Sequence, residues 1–161
     1  MSRTYRVISE VNCAYFVTST IVDWLPVFVD KTYCDIVVES LKFIRVNKRV
    51  QINAFVIMPT HLHLVVMPDE KVSLSDVMRD FKRFTSKAIS AQWERDDRKT
   101  FLRVFGYHAP SRAGAEYRVW QEGFHPEPVF RTLAQAIGMS VVLAVLLRKL
   151  AYPSAQVRNL G

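Results

Sequence analysis

Apolar positions in this chain change period several times, and each change marks an element. "AYFVTST" at residues 14–20 is β-branched and aromatic, bounded by Asn12 and the turn-forming "DWLP", and predicts a first strand. Over residues 30–48, Ile36, Val37, Leu41 and Ile44 recur at helical spacing behind the capping residues Asp30 and Thr32. "QINAFVIM" and "HLHLVVM" are apolar runs parted by Pro59 and Thr60, the pattern of an antiparallel hairpin with proline in its turn. From Ser73, Leu74, Val77, Met78, Phe81, Phe84, Ala88 and Ile89 repeat every three or four residues and predict a second helix over 73–93, with both phenylalanines in its core stripe. "ERDDRKTFLRVFGYHAPSRAGAE" is charged and poorly periodic, so it reads as a long loop. "YRVWQ" at 117–121 resumes strand character, "EGFHPEPVF" interrupts it, and a last helix over 132–150 ends before Pro153.

The order β-α-β-β-α-β-α predicts an α+β fold, a mainly antiparallel sheet with packed helices of the split-βαβ, RRM-like class, in one domain over 1–161. Trp24, beside Pro26, reads as a turn anchor, and Trp120 and Phe124 as packing against the sheet.

Half of the residues are hydrophobic and 12% aromatic, a composition that excludes a disordered tail. Two cysteines, Cys13 and Cys34, without CxxC spacing argue against a disulfide scaffold and fit a reducing cytoplasm. The start lacks the apolar core of a secretory signal, and the run at 133–147 falls short of the roughly 20 residues that cross a bilayer. No membrane partner is expected. The net charge of +7 is local: residues 1–78 carry 8 basic and 8 acidic side chains, whereas 79–118 carry 10 and 5. Such an excess suits a polyanion, because neutralised phosphates release condensed counterions. Arg79, Lys82, Arg83 and Lys87 lie off the apolar stripe of the second helix and form a candidate DNA-binding face.

The chemistry-bearing pattern is "HLH". Residues two apart in a strand project to one face, about 6.6 Å apart along the backbone, so His61 and His63 stand side by side while Leu62, Leu64 and Val66 face the core. Two imidazoles can share a divalent ion and leave coordination positions open for a phosphoryl oxygen. The competing reading is a pair of polar residues on a solvated face. His125 is a candidate third partner; His108, in the charged segment, carries no signal.

"NAFVIMPTHLHLVVMPDE", then "LSDVMRDFKRFTSKAIS" and "YRVWQEGFHPEPVF", resemble the single-tyrosine HUH transposases, the insertion-sequence 200-like group that includes the REP-associated tyrosine transposases. The resemblance spans about residues 13–130, with "YFVTSTIVDWLPVF" matching the family's opening strand and turn. It implies that His61 and His63 are metal ligands, that the ion is Mg²⁺ or Mn²⁺, and that the 73–93 helix is the family's basic helix. The metal preference rests on the resemblance alone, since imidazole also accepts zinc, nickel or copper. It further implies a partner of single-stranded or hairpin DNA, cut by a tyrosine that keeps the strand end as a 5′-phosphotyrosine before rejoining, with a homodimer left open.

The family's tyrosine helix, with an Asn or Gln one turn later, belongs near Met139, where "RTLAQAIGMSVVLAVLLRKLAYPSAQVRNLG" offers none. Tyr152 falls thirteen residues late, about 20 Å along a helix, and makes a poor nucleophile candidate. Residues 131–161 therefore read as a divergent end from a frameshift or degenerated reading frame, with deliberate replacement the alternative, which leaves the catalytic tyrosine unassigned and implies an inactive or altered transposase. Two rival functions stay open: a non-catalytic RRM-like nucleic-acid binder, and a small metal enzyme acting on another phosphoester.

Overall fold

In a computed structural model that describes residues 13–109, 116–129 and 156–158, five antiparallel strands form one sheet in the order β4-β1-β3-β2-β5. The strands are β1 (Ala14–Thr20), β2 (Val50–Met58), β3 (His61–Pro68), β4 (His125–Val129) and β5 (Gln156–Arg158), and the helices are α1 (Lys31–Asn47), α2 (Leu74–Arg95) and α3 (Lys99–Tyr107). The fold is α+β, as the alternation of periods predicts. Asp30 caps α1 by accepting from the Thr32 amide at 2.9 Å, a bond that holds the Asp30 carboxyl below the ordinary aspartate range. Ser73 caps α2 by accepting from the Asp76 amide.

The β2–β3 hairpin turns on Pro59 and Thr60 and centres the sheet. Leu62, Leu64 and Val66 join Tyr15, Val17, Phe55 and Ile57 in the main core, which α1 enters through Val37 and Leu41 and α2 through Met78, Phe81 and Ile89. Ala54, Val56, Met58 and Val65, with Ala14 and Phe16 beside them, form a smaller cluster on the other face. A bulge at Asn53 joins the two patterns: Val50 and Ile52 before it and Phe55 and Ile57 after it reach the same core although the spacing slips by one residue.

Four expectations need correction. The charged segment read as a loop contains α3, because Phe101 and Phe105 at helical spacing pack on Trp93; the Phe105 and Trp93 rings stack at 4.6 Å. "YRVWQ" is not a strand: Trp120 makes one isolated bridge to Ile21, and the strand comes later, across Pro126 and Pro128. Those prolines are tolerated because, among the described residues, β4 is an edge strand bonded only to β1, so residues two apart can turn the side without an N–H away from that partner. Strand β5, paired with β2, has no counterpart in the expected order. Phe84, assigned to the core, is 60% exposed, and the buried position goes to Thr85. The threonine is buried at no loss of hydrogen bonding, since its hydroxyl donates to the Phe81 carbonyl at 2.7 Å and accepts from the Trp120 indole at 2.8 Å.

The expected helix over 132–150 and Tyr152 lie outside the described residues. Among the described residues no helix is long and apolar enough to cross a membrane.

Candidate metal centre and nucleic-acid interface

Strand alternation sends the side chains of β3 to two faces. Leu62 and Leu64 go to the helices, and His61 and His63 to the opposite face. The hairpin turn and the register fix what surrounds the imidazoles. His63 lies opposite Thr18 of β1, and its Nδ1 is 2.9 Å from the Thr18 hydroxyl. His61 follows the turn residue Thr60, whose hydroxyl is 2.9 Å from the His61 Nδ1. Both imidazoles are thus engaged at the same nitrogen. In the tautomer that donates Nδ1–H to threonine, Nε2 is the nitrogen of each ring that would hold a cation.

The ring centroids of His61 and His63 are 4.7 Å apart with planes at 82°. Imidazoles at this separation on one strand face are close enough to share one small cation, whose ligand nitrogens sit about 2.1 Å from it. His63 stacks on Phe16 at 5.1 Å, and His61 meets the edge of Trp24 at 5.8 Å. Burial lowers the His61 pKa and so favours the neutral imidazole that a cation needs. Among the described residues no group of three or more His, Cys, Asp or Glu side chains could hold a metal ion. His125 falls by backbone register in one row with Thr18 and His63.

The basic helix does not line this pair. Its apolar stripe packs on the face that carries Leu62 and Leu64, so the sheet stands between α2 and the histidines. Arg79, Arg83 and Lys87 are exposed; Arg79 is paired with Asp76 and Asp80. Lys82 turns inward. Its Nζ donates to the carbonyl of Gln121 at 3.1 Å and to that of Gly123, where φ is +73°. Gln121 in turn donates its amide to Thr20 O at 2.8 Å and its side chain to Ile21 O at 3.2 Å. Lys82 therefore ties α2 to the end of β1 that lies opposite His61.

Burial brings the Lys82 pKa down to about 8, against 10.5 for an ordinary lysine. The unfolded chain then binds more protons between those values, so unfolding free energy should rise as pH climbs from 8 to 10.5. The rise is at most roughly 3 kcal/mol, because the carbonyl bonds favour the ammonium and oppose the shift. Urea titrations at pH 7.5 and 9.5 should show this gain in the native chain and its loss in Lys82→Met. Equal gains in both proteins would rule out the buried ammonium as its source.

The family model described as transposase, IS200-like, matches residues 12–124, more than half of the chain. This protein belongs to the IS200-like transposase family. No curated protein matches the sequence significantly. Among solved structures, this IS200-like chain is similar to a REP-associated tyrosine transposase bound to a REP hairpin, with TM-score 0.62, 15% identity, and coverage of 96% of this chain and 82% of that one. It is also similar to a Deinococcus radiodurans protein assigned as a transposase, with TM-score 0.55, 14% identity, and coverage of 94% and 96%. At such identities the two structures attest the shared fold.

Sequence reasoning placed His61 and His63 on one face and missed what holds them. Thr60 is visible beside His61 as a turn residue, whereas Thr18 is a partner only once the β1–β3 register is known. The inward role of Lys82 leaves no signal, because a lysine off the apolar stripe reads as solvated.

Proposed function

We propose that this IS200-like transposase binds single-stranded or hairpin DNA and holds a divalent cation, Mg²⁺ or Mn²⁺, with His61 and His63 beside a DNA phosphate. The carrying observation is that two imidazoles, each engaged at Nδ1 by a threonine hydroxyl, stand on one strand face with ring centroids 4.7 Å apart. When bound, the cation would polarise a phosphoryl oxygen and offset charge developing during strand cleavage. Thr18 and Thr60 hold the ring orientations. Residues Phe16 and Trp24 wall the pair on either side. The REP hairpin held by the structural neighbour supports DNA as the partner. The family's reaction, in which a tyrosine takes up the strand end and rejoining needs no ATP, is the activity this site would serve. Of the described tyrosines, Tyr15 and Tyr33 are buried in the helix-side core, which removes them as nucleophiles.

A labelled hairpin oligonucleotide with a single-stranded extension, incubated with Mn²⁺, tests the reading. A covalent protein–DNA adduct on a denaturing gel supports strand transfer, and retention without adduct supports the non-catalytic binder. Failure to retain the oligonucleotide at low salt overturns both.

Arg83 and Lys87 are exposed on α2, without ion pairs among the described residues, and are the cations best placed for phosphates. Replacing both by alanine should weaken retention and flatten the slope of log affinity against log salt by about 1.4, at roughly 0.7 per single-strand phosphate contact. An unchanged slope would remove α2 from the interface.

A further inference from the structure

Three features meet at Trp24. It is 58% exposed, although it is one of only three tryptophans and the other two, Trp93 and Trp120, are buried. Its φ is +55°, and that of Asp23 before it is +53°. A bulky side chain in the left-handed region is strained. The other described non-glycine residues with positive φ, Arg49 and Asp97, each follow the C-cap of a helix, where such a conformation ends the helix. Asp23 and Trp24 end no α-helix; they form a short turn beside the histidines.

The fold fixes that turn from several directions. Ile21 donates to Thr60 O at 2.9 Å, Val22 to Val119 O at 3.0 Å, and Trp24 to Ile21 O at 3.0 Å. Ile21 and Val22 are buried, and the Asp23 carboxylate is 2.8 Å from the His108 Nε2. A strained backbone is thereby held rigid, yet the indole it presents stays largely in water, where it gains little from packing. Its edge contact is the His61 ring at 5.8 Å.

Resting on the reading of the histidines as a phosphate-side cation site, we infer that Trp24 is a stacking platform for an unpaired nucleobase next to the phosphate held there. An aromatic face in a basic protein, fixed within one nucleotide's reach of the cation ligands, matches how single strands are gripped: the base stacks and the phosphate is neutralised. Stacking is tolerant of sequence because every base has a π-face, so the expected ligand class is extended single-stranded DNA.

The probe is a dT oligonucleotide of about 12 nucleotides, within the site size of a single-strand-binding domain. Binding should quench the emission of the native protein. Trp24→Ala should bind roughly 5- to 100-fold more weakly, and Trp24→Phe should lose the quench yet keep most of the affinity. A walk of single abasic positions along the oligonucleotide separates stacking from mere support of His61: one position should cost affinity in the native protein and nothing further in Trp24→Ala. A Trp24→Ala defect equal at every abasic position, or native-like affinity of Trp24→Ala, overturns the platform alone. If the native protein retains neither this oligonucleotide nor a hairpin, the DNA-binding reading falls and the platform with it.

Discussion

Alanine at both His61 and His63 is expected to abolish Mn²⁺ binding, read by titration calorimetry, and any Mn²⁺-dependent protein–DNA adduct, while hairpin retention stays within a few-fold of native. Removing both nitrogen donors leaves no described group that can hold the ion, since no other His, Cys, Asp or Glu cluster converges there. On the proposed reading, DNA retention would depend instead on cations such as Arg83 and Lys87 of α2, whose apolar stripe packs on the sheet face opposite the histidines. A milder variant tests orientation. Thr18→Val preserves shape but removes the hydroxyl 2.9 Å from the His63 Nδ1, and such outer partners are worth roughly 10- to 100-fold in metal affinity. Native Mn²⁺ affinity in the double alanine variant would sink the metal centre; native affinity in Thr18→Val would sink only the hydroxyl's part.

These two surfaces explain one arrangement of the fold. Because β3 alternates, the strand that supplies Leu62 and Leu64 to the helices also supplies the histidines to the other face. The candidate site therefore shares its backbone with a strand of the core. Lys82 and Thr85 extend that coupling, for they fasten α2 to the segment around Trp120–Gly123 that bonds the end of β1. A change on the helix side thus has a short covalent and hydrogen-bonded path to the turn that bears Trp24.

The parts of the fold written in local periodicity were legible: the β2–β3 hairpin, α1, α2 and the shared face of the two histidines. Where pairing between distant segments decides the outcome, local pattern misled. Prolines at 126 and 128 break a central strand but not an edge strand, and whether β4 is an edge depends on the whole sheet. Thr85 displaces Phe84 from the core because Trp120, 35 residues on, supplies a donor that no reading of the helix alone contains. Helix α3 was hidden because Phe101 and Phe105 find their partner, Trp93, on another helix. The candidate site followed the same rule: the spacing of His61 and His63 puts both imidazoles on one face, while Thr18 and Trp24 join them only through tertiary contacts.

Trp93 should be the residue whose truncation costs the most stability. It is fully buried where α1, α2 and α3 meet: its ring stacks on Phe105 at 4.6 Å, tilts against Phe101 at 5.2 Å and meets Tyr33 edge-on at 6.1 Å. Trp93→Ala removes this anchor and leaves a cavity between elements that cannot all close on it, an expected loss of about 3–5 kcal/mol in urea unfolding. The indole also carries a liability, because its Nε1 is buried with no hydrogen-bond partner among the described residues. An unpaired buried donor costs about 1–3 kcal/mol. Trp93→Phe keeps most of the aromatic contact and deletes that donor, so the two effects offset and the variant should unfold within about 1 kcal/mol of native. If phenylalanine proved as damaging as alanine, the ring's full outline rather than its aromatic surface would be what α3 packs against. If alanine cost under about 1 kcal/mol, the junction of the three helices would not be the keystone of the helix-side core, and the fastening of α2 through Lys82 and Thr85 would have to carry that role.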